Sequence, residues 1–291
     1  MIYNLGSINA DYFYSVRELP RAGETLAANT LDRDLGGKGA NMSVAAARAG
    51  GRVRHIGAVG EDGVWVIDAF RAAGVETDIA VLPDVPTGHA VILREMSGEN
   101  AIITLAGANN ALDRDQVLQA LRGIGPGDVF LFQNETNQIE YAAKVASDAG
   151  AHILYAAAPF CERSVRDVLS MVDTLVLNSV EMDQMKMALG AGPDALGVSN
   201  VIVTEGARGA HLFQQGADVV RIPAPKVDVV DTTGAGDTLS GFLAEGLDAE
   251  RPIEHVLHRA ICAASIMTTK KGTASAIPSL DELEAFELRN R

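Results

Sequence analysis

Apolar residues fall into short continuous runs separated by longer stretches in which they recur every three or four positions. Ile2–Ile8, Val53–Val59, Val129–Phe132, Ile153–Ala157, Thr174–Leu177 and Val201–Thr204 are the short runs. The helical period occupies Ala40–Ala49, Val64–Ala73, Ile139–Ala149 and the stretch from Val180 onward. Uninterrupted apolar runs of strand length suit strands covered on both faces, and their alternation with helices predicts a mostly parallel sheet between helical layers. Two stretches break this rhythm. Tyr12–Asp34 and Gly88–Thr104 read as strands and turns without helices, with alternation in Ala90-Val91-Ile92-Leu93 and Ala101-Ile102-Ile103-Thr104 around the turn Ser97-Gly98-Glu99-Asn100. They predict a small second sheet inserted into the α/β body. The last third turns helical, at Gly234–Leu247, Pro252–Thr269 and Leu280–Leu288, with Phe242, Leu243, Leu247, Val256, Leu257, Ile261 and Ile266 at core spacing. No repeat or linker divides the chain. One domain over 1–291 is expected, with insertions at about 12–34 and 88–104.

Composition narrows the function classes. The 291 residues are 47% apolar and 21% charged, an ordinary balance for a soluble globular chain with a substantial core. A formal net charge of −14 argues against a nucleic-acid partner. It does not exclude ATP, because backbone N–H groups, Lys and metal ions bind phosphates locally. The start, Met1-Ile2-Tyr3-Asn4-Leu5-Gly6, has no basic segment before an apolar one, and no apolar run reaches the ~18 residues of a membrane span. Cys161 and Cys262 are too few for a disulfide framework and read as buried small residues. His55, His89, His152, His211, His255 and His258 show no metal-ligand spacing. A cytoplasmic enzyme is the expectation.

The strongest chemical signal is Asp231-Thr232-Thr233-Gly234-Ala235-Gly236-Asp237, which opens the helical run Thr238-Leu239-Ser240-Gly241-Phe242-Leu243. A small-residue turn at a helix start points free N–H groups at one spot, where the helix dipole favours negative charge. Asp237 then stands as a base beside an anion cradle, although a tight loop with a capping Asp would look the same. A second glycine cluster, Gly36-Gly37-Lys38-Gly39-Ala40-Asn41, opens another helical run. Neither cluster is a Walker A loop, and Leu239 stands where a dinucleotide fingerprint would need its third glycine. A nicotinamide-dependent dehydrogenase is therefore disfavoured.

Together with Gly6-Ser7-Ile8-Asn9-Ala10-Asp11, these two clusters resemble the ribokinase (PfkB-type) carbohydrate kinases, in a likeness running from Ile2 to about Pro278. The resemblance implies a three-layer α/β/α domain whose inserted β-sheet is a lid over the sugar and a homodimer contact. It implies an ATP- and Mg²⁺-dependent kinase acting on a sugar primary hydroxyl, with K⁺ as an activator. Asp237 becomes the base and Gly234, Ala235 and Gly236 the anion hole. Asn9, Asp11, Gly37, Lys38, Asn41 and Glu135 match sugar-binding positions, and the presence of all six favours D-ribose, phosphorylated at its 5-hydroxyl. Lys38 is also placed to meet phosphate charge.

On the nucleotide side the resemblance assigns Asn178, Thr204, Glu205, Gly206, Ala207, Arg208, Gly209, Gly236 and Ile261. Glu181 would act on Mg²⁺ through water. Asp231, Thr233, Met267, Lys270, Gly272 and Ala276 match a monovalent-cation site built mainly of carbonyls. Several residues leave a structural alternative open. Asn9 and Asp11 suit a polar loop, Asn178 with Glu181 suits a capping box, and Thr204–Gly209 suits a hairpin turn. There are also departures from the family pattern. Ala276 replaces a Ser, Ile261 replaces a polar residue near adenine, Leu239-Ser240 replaces Phe-Asn, and the stretch between Gly190 and Asn200 is short by about a helix. A kinase for another pentose, ketose or nucleoside, or a non-catalytic sugar- or nucleotide-binding protein, is the alternative reading.

Overall fold

The computed structural model describes residues 1–95 and 99–290. Ser97 and Gly98 of the expected turn lie outside that set. Among the described residues, thirteen strands form two sheets: β1 Ile2–Leu5, β2 Asn9–Val16, β3 Thr30–Gly36, β4 Val53–Gly60, β5 Glu76–Leu82, β6 His89–Glu95, β7 Asn100–Leu105, β8 Val129–Phe132, β9 His152–Ala156, β10 Thr174–Asn178, β11 Asn200–Thr204, β12 Ala210–Gln214 and β13 Val220–Ile222.

The large sheet runs β13-β12-β11-β10-β9-β8-β1-β4-β5. It is parallel from β11 to β5, with β12 and β13 added antiparallel at one edge. Side chains on its strands alternate between two cores. On β8, Leu131 faces the layer of helices Lys38–Arg48, Ala235–Asp248 and Ile253–Thr268, while Phe130 and Phe132 face the layer containing Ile139–Asp148 and Ser179–Leu189. A strand buried on both faces must be apolar throughout, which is why these runs show no alternation in sequence.

The small sheet has the order β3-β2-β6-β7. Pairing of β2 with β6 is parallel, and the two outer pairs are antiparallel. It decides against the polar-loop alternative for Asn9 and Asp11. The first strand ends at Leu5, and β2 starts at Asn9, where the Ala10 amide donates to the Gly88 carbonyl at 2.8 Å. Pairing also sets the two faces of the sheet. In the β6–β7 register Ile92 stands opposite Ile102 and Val91 opposite Ile103, so Ile102 joins Phe13, Ala90 and Ile92 on the inner face. Outward stand Val91, Leu93 and Ile103, the last 72% exposed.

Candidate active site

Two helix starts converge beyond the carboxyl ends of the parallel strands, where open α/β sheets bind ligands. Helix Lys38–Arg48 begins after Gly37, and helix Ala235–Asp248 begins after Gly234. Gly234 has φ 79°, a left-handed conformation that a side chain disfavours, and an added Cβ would stand 2.7 Å from Met267 Cε. At Gly36 space decides: a Cβ there would lie 1.9 Å from Asp11 Oδ2.

A polar cavity of about 750 Å³ opens between these helix starts and the inner face of the small sheet. All six expected sugar residues, Asn9, Asp11, Gly37, Lys38, Asn41 and Glu135, line it, together with Gly234 and Asp237. Asn41 Nδ2 donates to Asp237 Oδ2 at 2.9 Å, while Asn41 Oδ1 is buried with no partner among the described residues. Lys38 Nζ lies 4.0 Å from Glu135 Oε1. Burial raises the Asp237 carboxyl above the usual carboxylate range and Glu135 adds to this, against the pull of Lys38 and the Asn41 hydrogen bond. The Asp237 charge in turn holds Lys38 above its ordinary value, despite burial. Asp11 is pushed up to about 7, by burial first and then by the charges of Asp34 and Glu135.

Three residues that position this cavity escaped the sequence reading. Ser7 Oγ donates to Glu135 Oε2 at 2.5 Å and accepts from the Gly39 amide at 3.2 Å. Asn109 Nδ2 donates to Asn9 Oδ1 at 2.9 Å, which leaves the Asn9 amide group free to donate. Arg94 reaches in from β6. Ser7 stood inside a quoted motif, whereas nothing in Gly107-Ala108-Asn109-Asn110 marks Asn109 as more than a turn residue.

A second cavity, about 640 Å³, opens on the other side of the same helix start, where Ala235 and Gly236 line it. Asn178, Thr204, Gly206, Ala207, Gly209 and Ile261 also line it, with Val227, Val229 and Leu239 supplying apolar surface suited to a flat base. Glu205 and Arg208 do not. They pair with each other at 3.2 Å on the turn between β11 and β12, so the hairpin reading of this stretch holds beside the binding one. Asn178 and Glu181 form a full capping box, through 2.8 and 2.9 Å hydrogen bonds. Only one Glu181 oxygen is used there, and the fields of Lys38 and Asp237 reach its carboxyl, which burial raises above its ordinary value. No group of three or more His, Cys, Asp and Glu forms a metal cage among the described residues. Single-carboxylate binding through water, with phosphates as the main ligands, is the usual manner of Mg²⁺, so Glu181 fits that role.

At the helix start, the amides of Gly236 and Asp237 donate to no backbone carbonyl among the described residues, whereas Ala235 N donates to Thr232 O at a long 3.3 Å. An anion at this turn would therefore meet chiefly the Gly236 and Asp237 amides. Of the expected cation positions, Asp231 and Thr233 line the polar cavity. Met267 is buried under the turn with its sulfur accepting from Thr238 Oγ1 at 2.6 Å. The Met267 carbonyl accepts from Lys270 N at 3.0 Å, and the Lys270 ammonium holds Glu282 at 2.6 Å. Gly272 takes φ 114°, and buried Ala276 offers no side-chain oxygen.

A buried carboxylate and open amides between a polar cavity and an apolar one define a phosphotransferase that brings a small hydroxyl compound to a nucleotide. The sequence pattern of the pfkB family carbohydrate kinases matches residues 1–280, and the chain belongs to that family of phosphotransferases acting on sugar hydroxyls. It is 34% identical over 297 residues to the ribokinase of Haemophilus influenzae, covering 97% of this chain and 96% of that enzyme. The crystal structure of Cryptococcus neoformans ribokinase in complex with ADP matches at 30% identity with a TM-score of 0.82, over 98% of both chains. Arabidopsis thaliana ribokinase complexed with ribose and ATP matches at 29% identity with a TM-score of 0.85, over 98% of this chain and 97% of that one.

Proposed function

We propose that this chain transfers the γ-phosphoryl group of ATP to the 5-hydroxyl of D-ribose. One observation carries the reading: six hydrogen-bonding groups and the Asp237 carboxylate share one cavity, and the opposite side of the same helix start opens on the nucleotide cavity. Adjacent hydroxyls suit Asp11 as a double acceptor, Asn9 as a donor, and the unpartnered Asn41 oxygen. As the hydroxyl oxygen bonds to the γ-phosphorus, its proton passes to Asp237 and the bond from phosphorus to the β–γ bridging oxygen breaks, releasing ADP. The amides of Gly236 and Asp237, with Lys38, hold the transferring charge. Glu181 would hold Mg²⁺ through water, and the ion would neutralise polyphosphate charge. A free monovalent cation is not part of this reading.

ADP release measured across ribose, deoxyribose, fructose and nucleosides tests the assignment. Ribose should give the highest kcat/KM. Efficient turnover of another acceptor, with ribose inert, would overturn the substrate and leave the kinase standing.

The small sheet acts as a lid in this reading, and its outer face serves a homodimer. Val91, Leu93 and Ile103 present apolar surface on one face, and β7 is an open edge. A second copy would cover both at once. Light scattering should then return twice the 30.6 kDa chain mass, and Ile103→Glu should shift it toward one. A parent that stays at one chain mass at micromolar concentration ends this part of the proposal. No helix among the described residues is long and apolar enough to cross a membrane. An ATP requirement and two free cysteines suit the cytoplasm.

A further inference from the structure

We propose that Arg94 is a built-in cation at the phosphoryl-transfer turn, replacing the free monovalent ion that the family pattern would put beside Asp231. The inference rests on the kinase reading above.

Arg94 stands on β6 with its guanidinium 3.9 Å from the centre of the Phe13 ring, a stack that preorganises a group which never loses its charge. Its Nη2 lies 4.0 Å from Asp231 Oδ2. The other oxygen, Asp231 Oδ1, accepts from the Thr233 amide at 3.0 Å. One carboxylate is thus shared between a fixed cation and the backbone that leads into Gly234 and the open amides. A positive partner there holds the turn and offsets repulsion between Asp231 and an incoming phosphoryl group.

One further fact opposes a free ion at this point: Ala276 presents a methyl group where a ligating hydroxyl is expected. Because Arg94 belongs to the small sheet and Asp231 to the body, the pair also joins the lid to the turn. A solute ion could not couple lid position to the anion cradle in this way.

The test compares the parent, Arg94→Leu, Arg94→Lys and the double variant Arg94→Leu/Ala276→Ser in KCl, NaCl and tetramethylammonium chloride at one ionic strength. ADP release and thermal unfolding are both read. Parent turnover and melting temperature should be the same in all three salts. Arg94→Leu should lose turnover on the order of tenfold, Arg94→Lys should retain most of it, and the double variant should regain turnover in KCl alone. The idea is overturned if KCl selectively activates or stabilises the parent, or if Arg94→Leu keeps parental turnover. Loss in Arg94→Leu that KCl does not restore in the double variant also overturns it. If the parent releases no ADP with any sugar, the kinase reading fails on its own, and a potassium-specific melting shift in the parent still decides the cation question.

Discussion

Asp237→Asn should lower kcat by ~10²–10⁴-fold while sugar and ATP affinities stay within about threefold of the parent. The substitution is nearly isosteric. An amide oxygen at this position can still accept from Asn41 Nδ2, which now donates at 2.9 Å, so the cavity keeps its shape. What is lost is the basic site that takes the hydroxyl proton. The environment adds a second signature. Burial raises the carboxyl, so the active, unprotonated form is lost as pH falls, at a higher pH than for an exposed Asp. Parent kcat should therefore carry an acidic limb that the Asn variant lacks. Equilibrium binding and single-turnover rates separate these effects, and a variant turning over within about threefold of the parent would move the base role to another group.

Asp11→Ala should raise the sugar KM roughly 10–100-fold and leave the ATP KM unchanged. Each sugar donor left unpaired in a buried site costs ~1–3 kcal/mol, and ~1.4 kcal/mol corresponds to tenfold in affinity. Gly36→Ala should act in the same direction without touching any hydrogen-bonding group, because its methyl would occupy the space of the Asp11 carboxylate. The pH dependence follows from the raised carboxyl, at about 7. An ionised carboxylate accepts from two hydroxyls, whereas the protonated form gives up part of that capacity. Sugar affinity should fall as pH drops through about 7 and recover above it, with the ATP KM insensitive to Asp11 and the step absent in Asp11→Asn. A parent sugar KM flat between pH 6 and 8 would remove Asp11 from the sugar contacts.

Much of this molecule was legible in one dimension, for a local reason. The strands β8 to β11 are apolar on both faces, and no other element of that length suits a run such as Val129–Phe132. Gly36-Gly37 and Gly234-Ala235-Gly236 announce helix starts, the second with open amides, because both the strained backbone and the missing side chains are properties of the residues themselves. The expected sugar and nucleotide residues line the two cavities, Glu205 and Arg208 excepted, whereas Glu181, Met267, Lys270, Gly272 and Ala276 of the expected metal positions line neither. Glu205 and Arg208 pair with each other on the turn between β11 and β12, a contact that appears only once the turn folds.

Other features depended on pairing between distant segments. Asn9 and Asp11 belong to a strand because β3 and β6 flank them, and the inward placing of Ile102 depends on the β6–β7 register, in which a slip by one residue would exchange the faces. The short helices Arg114–Ala120 and Glu162–Val168 carry too few turns for a clear period, though Asp113 caps the first through hydrogen bonds to the amides of Asp115 and Gln116. Ser7, Asn109 and Arg94 owe their roles to partners about a hundred or more residues away: Glu135, Asn9 and Asp231. Local sequence determined the central strands of the large sheet, the turn that bears open amides and the carboxylate that stands at the helix start, because backbone conformation answers to near neighbours. Tertiary structure alone decided which charges meet and how far Asp11 and Asp237 are shifted, because burial and Coulomb fields depend on distance in space.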